Sequence, residues 1–256
     1  FIAQTLAAYE ATHIFFVPAI LSRTLVELER HTDITRIMTH GEKSAAYMAD
    51  GYARVSGKPG ICFSQCIGAA NLAAALRDPY LACSPMVVLT GGPYSDQRHR
   101  HSYQEIDDFP LFGPVTRYSA RVEDAGQLPE MLRQAFRSAT SGCPGPAHLE
   151  LAGHLGELEN QIGDFDLQIE AQHSRIPAWR PPADSKSIKK VVRLLNESKR
   201  PVIIAGGGVR SSGAGQALQE LAETLLIPVA TSLNAKDVIR GDHPLNVGVP
   251  GWYCRK

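Results

Sequence analysis

One carboxylate, Glu42, stands where an apolar run over residues 34–38 gives way to a helical pattern, in THGEKSAAYMADGYARVSGKPG over residues 39–60. Behind it Ala45, Ala46, Ala49 and Ala53 recur at helical spacing, and a Gly/Pro turn closes the stretch. Small residues on one helix face let a second element come close, because no side chain holds the backbones apart. An acid at the start of such a helix can be drawn into a dry site, where burial raises a carboxyl pKa and readies it to share a proton. Alone, the same acid also reads as a complement to the helix dipole, worth about 0.3–1 kcal/mol. Other residues with chemical potential are the turn Gln65-Cys66-Ile67-Gly68-Ala69-Ala70-Asn71, the Tyr103-Gln104-Glu105 triplet, and His99 and His101. The glycines Gly206, Gly207 and Gly208 lie between a strand pattern and a helix pattern. Backbone N–H groups at such a turn can cradle a diphosphate. A full dinucleotide spacing is missing, and residues 228–232 offer no acid to close the next strand, which weighs against a nicotinamide-type oxidoreductase.

These residues need a frame. Short apolar runs at 13–18, 34–38, 60–64, 85–90, 115–119 and 146–151 read as strands. Helical patterns lie between most of them, at 4–12, from Ser22 as N-cap to Arg30, after Glu42, at 68–80 and at 127–140. Alternation of this kind predicts a doubly wound, parallel α/β sheet with helices on both faces. Ligands bind such sheets beyond the carboxyl ends of the strands. Pro18, Glu42, the 65–68 turn and the 91–105 loop all follow strand ends, so they are expected on one edge. Residues 1–152 form this first domain. Residues 153–184 read as a linker by composition, with Pro177, Trp179, Pro181 and Pro182 clustered. Residues 185–256 begin a second, Rossmann-like α/β unit: helix, strand, glycine turn, helix, strand. That unit reads as half built, and residue 1 falls inside a helical pattern, so the chain is expected to be part of a longer polypeptide.

Lys+Arg and Asp+Glu balance at 26 each, which gives no basis for nucleic-acid or anionic-membrane binding. Apolar residues make up 44%, enough for a real core. No run has the length of a membrane span, and no secretory signal pattern opens the chain. The five cysteines, Cys62, Cys66, Cys83, Cys143 and Cys254, form no Cys-x-x-Cys pair and read as reduced, mostly buried thiols of a cytoplasmic protein. No spacing supports zinc.

His40-Gly41-Glu42, Ala45-Ala46, Met48-Ala49-Asp50-Gly51-Tyr52-Ala53-Arg54 and Ser56-Gly57-Lys58-Pro59-Gly60 together resemble the pyrimidine-binding domain of thiamine diphosphate-dependent enzymes. The likeness is to the acetolactate (acetohydroxyacid) synthase large subunit and its relatives. It extends through Gly206-Gly207-Gly208, Ile227-Pro228-Val229 and Asp242-His243-Pro244-Leu245 into the family's central domain. The resemblance implies that Glu42 holds N1′ of the coenzyme's aminopyrimidine and favours the tautomer that takes the C2 proton. It implies cofactor contacts at Pro18, Gly68 and Asn71, and a role for Gln104 at the reacting centre. Two departures in glycine turns bear on substrate. Gln65-Cys66-Ile67 stands where Ser-Gly-Pro is usual, and Ala19-Ile20 stands where the family has two glycines. The Tyr103-Gln104-Glu105 triplet resembles both the Phe-Gln-Glu of acetolactate synthases and the Tyr-Glu-Glu of oxalyl-CoA decarboxylases. Acetolactate synthases bind FAD in the central domain, where many relatives bind an adenine nucleotide or nothing. The family's Mg²⁺ motif, Gly-Asp-Gly with paired Asn, is not in this segment; the metal is expected through a further domain. The implied enzyme decarboxylates a 2-oxo acid and passes a two-carbon unit to another, in a homodimer or homotetramer with the active site at the subunit interface. A decarboxylase or lyase without ligation, and a non-catalytic homologue with an assembly role, are the alternatives.

Overall fold

The structure, a computed structural model, describes residues 1–251; Cys254 lies outside the described residues. The chain falls into two compact units, residues 1–178 and residues 179 onward.

The first unit contains α1 (Ile2–Ala8), β1 (His13–Phe16), α2 (Ser22–His31), β2 (Thr35–Met38), α3 (Glu42–Ser56) and β3 (Gly60–Ser64). It continues with α4 (Ala69–Ala75), α5 (Arg77–Ala82), β4 (Met86–Gly92), β5 (Tyr118–Val122), α6 (Leu128–Thr140) and β6 (Pro146–Ala152). The six strands form one parallel sheet in the order β2-β1-β3-β4-β6-β5. Successive side chains of a strand point to opposite faces, and here each face has its own core. Ile14, Phe16, Ile61, Phe63, Val87 and Leu89 pack with α1, α2 and α6. Phe15, Cys62, Met86 and Val88 pack with α3 and α4 on the other side. The sheet is therefore wound on both faces, as the alternation of apolar runs predicts. Each fully buried Leu, Ile or Phe contributes about 1.5–3 kcal/mol.

Helix α3 shows why the alanines are there. Ala45, Ala46, Ala49 and Ala53 are buried against β3 and α4. A Cβ on Gly60 would lie 2.7 Å from the Ala49 carbonyl carbon, so β3 begins in direct contact with helix backbone. Asp50, buried, takes a bidentate ion pair from Arg54 one turn on, at 2.9 and 2.7 Å. Gly57, at φ 69°, ends the helix in the left-handed conformation.

Four local expectations need correction. Ser22 is the first residue of α2 and makes no cap; Leu21 precedes it at φ 49°. The free N–H groups of Arg23 and Thr24 are taken instead by the Glu159 carboxylate, at 3.0 and 2.8 Å. The helix expected over 68–80 breaks at Leu76 into α4 and α5. Pro79 explains the break, since it has no N–H and its ring would press on the carbonyl four residues back. The fifth strand lies at Tyr118–Val122, not 115–119, because Gly113–Val115 forms a 3₁₀ turn around Pro114 and Val115 packs into the α3-side core. The linker composition of residues 153–178 marks irregular backbone, not loose chain. Leu158 is in the core, Phe165 and Ile169 pack against it, and Glu170 pairs with Arg137 at 2.5 and 2.6 Å.

The second unit holds α7 (Ser185–Glu197), β7 (Ile203–Ala205), α8 (Gly207–Ser211), α9 (Gly215–Leu225), β8 (Val229–Thr231) and β9 (Asn246–Gly248). Its parallel sheet runs β7-β8-β9 over a core of Ala205, Ala222, Val229, Ala235, Val238 and Ile239. The third strand is one the apolar pattern does not announce, being Asn-Val-Gly. Helix α7 buries no residue of its apolar face.

His148, in the middle of β6, is fully buried. Its Nε2 lies 2.8 Å from Thr90 Oγ1 and its Nδ1 2.9 Å from Ser119 Oγ, with the Phe112 ring stacked at 3.5 Å. Burial, with Arg121 adding to it, lowers its pKa to about 3. An unfolded histidine takes up its proton near pH 6.5, whereas this one stays neutral. Its contribution to stability is therefore complete above about pH 6.5 and is lost as pH falls toward 3, by up to about 1.4 kcal/mol per pH unit. Urea unfolding of the wild type and His148→Gln between pH 6.5 and 4.5 should give a shallower pH slope in the variant. Parallel slopes would exclude His148 as the titrating group.

Candidate active site

The carboxyl ends of β1, β2, β3, β4 and β6 deliver five turns to one edge of the first sheet. Backbone hydrogen bonds lock these turns to each other. Leu21 N–H donates to Leu155 O at 2.9 Å, Thr39 to Phe16 O at 2.8 Å, Cys66 to His154 O at 2.9 Å and Gly92 to Gly153 O at 3.0 Å. The Thr39 hydroxyl adds bonds to the carbonyls of Phe16 and Gly41, which fixes the entry into α3.

Glu42 is the first residue of α3, preceded by an extended Gly41, and is half-buried. Its Oε2 accepts from Asn71 Nδ2 at 3.3 Å. Gly68 lies directly beneath the carboxyl. A Cβ on Gly68 would stand 2.5 Å from both Glu42 Cγ and Ser64 Oγ. Glycine is therefore required here by contact and not by backbone angle, since the φ of Gly68 is −91°. Glu42 from one stretch and Gly68 and Asn71 from another form one constellation. In the chain on either side of it, Met38, Tyr47, Met48 and Ile67 leave between 43% and 66% of their surface exposed.

Pro18 follows β1 on the same edge and is exposed. Ala19, where the family has glycine, adopts φ 71°, a region that costs a non-glycine residue about 1–2 kcal/mol. Gln104 reaches the edge by its backbone. Its carbonyl accepts from the Cys66 thiol at 3.0 Å, while its side chain donates to the Tyr103 hydroxyl at 3.1 Å and not to Glu42 or Asn71. Ile106 N–H donates in turn to the Cys66 sulfur, and Asp108 accepts from Ala70 N–H at the start of α4. Burial pushes the Cys66 thiol up to about 11, so it acts as a neutral donor. Cys66 is thus a tether for the 102–108 loop, a role that its reading as a reduced, buried thiol does not anticipate. Glu105 folds the same loop on itself, accepting from Ser102 N–H at 2.9 Å and from His99 N–H. Those bonds hold its carboxyl below the usual range. His99 and His101 are exposed.

The carboxyl, its glycine cradle and the adjacent amide fit a group that offers a ring nitrogen to an acid and stacks against small residues. A metal does not fit here: among the described residues no three His, Cys, Asp or Glu come together to hold one. In the second unit Gly206, Gly207 and Gly208 follow β7 and open α8. A Cβ on Gly206 or Gly208 would meet nothing within 4 Å, so neither glycine is demanded by packing.

Comparison with known proteins agrees with this geometry. Residues 1–111 match the thiamine pyrophosphate enzyme N-terminal TPP binding domain, and residues 188–256 match the thiamine pyrophosphate enzyme central domain. A probable acetolactate synthase large subunit of Methanococcus aeolicus is 38% identical over 88% of this chain and 38% of its own length. A probable 2-ketoarginine decarboxylase of Pseudomonas aeruginosa is 31% identical over 98% of this chain and 45% of its own. Glyoxylate carboligase of Escherichia coli O157:H7 is 30% identical over 88% and 37%. The X-ray structure of a candidate thiamin diphosphate-dependent enzyme from Mycobacterium smegmatis superposes with a TM-score of 0.79, covering 96% of this chain and 46% of that one at 24% identity. The chain spans less than half the length of these relatives. With its sheet order, its acid-on-glycine constellation and both domain matches in agreement, the chain belongs to the thiamine pyrophosphate enzyme family.

Proposed function

We propose that this chain supplies the pyrimidine-binding domain and the start of the central domain of an acetolactate synthase-like enzyme. The enzyme decarboxylates one 2-oxo acid, pyruvate in the simplest case, and transfers the two-carbon unit to a second. The carrying observation is the Glu42 carboxyl, half-buried at the first turn of α3 and backed by Gly68 with no room for a side chain between them. Thiamine diphosphate, when bound, supplies the nucleophilic carbon and holds the electron pair that decarboxylation leaves behind. Glu42 holds a proton between its carboxyl oxygen and N1′ of the aminopyrimidine. Asn71, donating to Oε2, fixes the rotamer that presents the other oxygen. Pro18 and Gly68 bound the space for the ring, and the Cys66-tethered loop brings Gln104 to the substrate side.

The exposed Met38 and Ile67 beside this edge, with Tyr47 and Met48 further along α3, support a partner subunit as the cover of this site, in a homodimer or homotetramer, because exposed apolar side chains of this kind mark contact surfaces. An apolar groove of about 580 Å³ along α4 and α5, lined by Ala70, Ala74, Leu81 and Leu111 among others, extends that surface. Mg²⁺ enters through residues outside this segment. The open Gly206-Gly207-Gly208 turn is the place for a nucleotide diphosphate, FAD in an acetolactate synthase-like enzyme. Among the described residues no helix is long and apolar enough to cross a membrane. Cys62, Cys66, Cys83 and Cys143 are free, which supports a cytoplasmic setting.

A decarboxylase without ligation is the second reading, favoured by the Gln65-Cys66-Ile67 and Ala19-Ile20 departures next to the site. With pyruvate as substrate, the full-length enzyme should form a branched hydroxy-oxo acid; release of free aldehyde alone would select the second reading. Purified enzyme should show a flavin absorption spectrum if FAD is resident, and its absence after mild extraction would remove FAD from the assignment. Glu42→Gln should slow C2 proton exchange of the bound coenzyme by at least about a hundredfold while retaining much of its binding. Unchanged turnover would refute the role and leave a non-catalytic homologue. Gly68→Ala should displace the Glu42 side chain, a flexible neighbour, with little loss of thermal stability but at least about tenfold loss of activity. Wild-type activity in that variant would show that the contact does not position the acid.

A further inference from the structure

Two cysteines that the functional site does not use meet at the opposite edge of the first sheet. Cys83 ends α5 at φ 56°, three residues before β4 begins. Cys143 lies in the turn before β6. The pairing of Met86 with Pro146 brings these two strand starts side by side. The sulfurs, both free, are 3.1 Å apart. Contrary to the expectation of buried thiols, Cys143 is exposed and Cys83 half-buried, whereas Cys62 and Cys66 are enclosed.

Arg117 organises the pair. Its Nη2 lies 3.3 Å from Cys143 Sγ and 4.0 Å from Cys83 Sγ, and donates to Tyr80 O at 3.2 Å. Its guanidinium also stacks 4.0 Å over the Tyr80 ring, which holds it in place. Gly145 makes room: a Cβ there would lie 2.8 Å from Arg117 Cγ and Nε. A cationic donor shared by two adjacent sulfurs, one of them open to solvent, is the surrounding in which thiols react.

We propose that Cys83 and Cys143 form a reversible disulfide, an oxidation site that staples the starts of β4 and β6 together. Peroxide is the oxidant class. The Cys143 sulfur, which solvent reaches first, attacks one peroxide oxygen; the O–O bond breaks, water leaves and a sulfenic acid forms. Cys83 then attacks the Cys143 sulfur, the S–O bond breaks, a second water leaves and the S–S bond forms. Two thiols lose two electrons and two protons in total, and one peroxide is reduced to two waters. Cys62 takes no part, because burial raises its thiol far above the ordinary range. Burial likewise keeps Cys83 a thiol at rest, with the pair's reactivity beginning at Cys143. The staple closes a loop across sequence positions 60 apart, and a cross-link of that span stabilises mainly by restricting the unfolded chain.

Hydrogen peroxide, followed by alkylation of remaining thiols and peptide mapping of the full-length protein, should yield a Cys83–Cys143 linked peptide two hydrogens lighter than the sum of its parts. Dithiothreitol should return both peptides. Oxidation should raise the wild-type Tm by roughly 5–10 °C, and Cys143→Ser and Cys83→Ser should each abolish the rise. Absence of the linked peptide, pairing of Cys143 with any other cysteine, or an equal Tm rise in the serine variants would overturn the proposal.

Discussion

Everything on the functional edge depends on how closely the first turn of α3 approaches the Gly68 turn. The carboxyl of Glu42 rests on a glycine that cannot gain even a methyl group without pushing it aside. The same device recurs around the edge. Gly91 lies against the His154 backbone, Gly92 against the Glu150 carboxyl and Gly156 against Ile20 and Leu21. Each backbone hydrogen bond between turns adds about 0.5–1.5 kcal/mol, so none of them fixes the edge alone. Rigidity comes from five turns that share contacts, and the acid inherits it from them.

The frame was readable because its signals are redundant. Six apolar runs separated by helical patterns admit few alternatives to a parallel sheet, and the alanines of α3 mark the face that meets β3. Glu42 was readable for another reason: its neighbours in sequence are also its neighbours in space, over one turn and one helix. Asn71 and Gly68 join it from a turn that the apolar strand β3 announces. What escaped is what depends on distant residues. Glu159 replaces the Ser22 cap from 135 residues further along the chain. Val115 is apolar because it packs into a core, not because it is strand. Residues 153–178 look loose by composition and yet bring Leu158 and Glu170 into fixed contacts. No periodicity records such pairings.

The departure at Cys66 shows how a family turn can be altered without dismantling its site. A glycine there would leave the Gln104 carbonyl without this donor. The thiol instead bonds to that carbonyl and receives the Ile106 N–H. The substitution therefore adds a link between the turn under the acid and the loop that carries Gln104. The loop is otherwise held by its own Glu105 and by Arg98, which pairs with Glu123 at 2.5 Å, so this link joins the Asp108 contact to Ala70 in tying it to the Gly68 turn.

The Glu159 carboxylate bonds to the first N–H groups of α2 across 135 residues of sequence. The Pro18 turn just ahead of that helix also leans on Leu155 and Gly156. During synthesis the N-terminal strand and helix are thus made long before the segment that completes their junction. The edge at the carboxyl ends of the strands cannot mature stepwise from the N-terminus; it closes when the tail of the first unit leaves the ribosome, so a nascent chain halted earlier would carry Glu42 without these turns assembled around it.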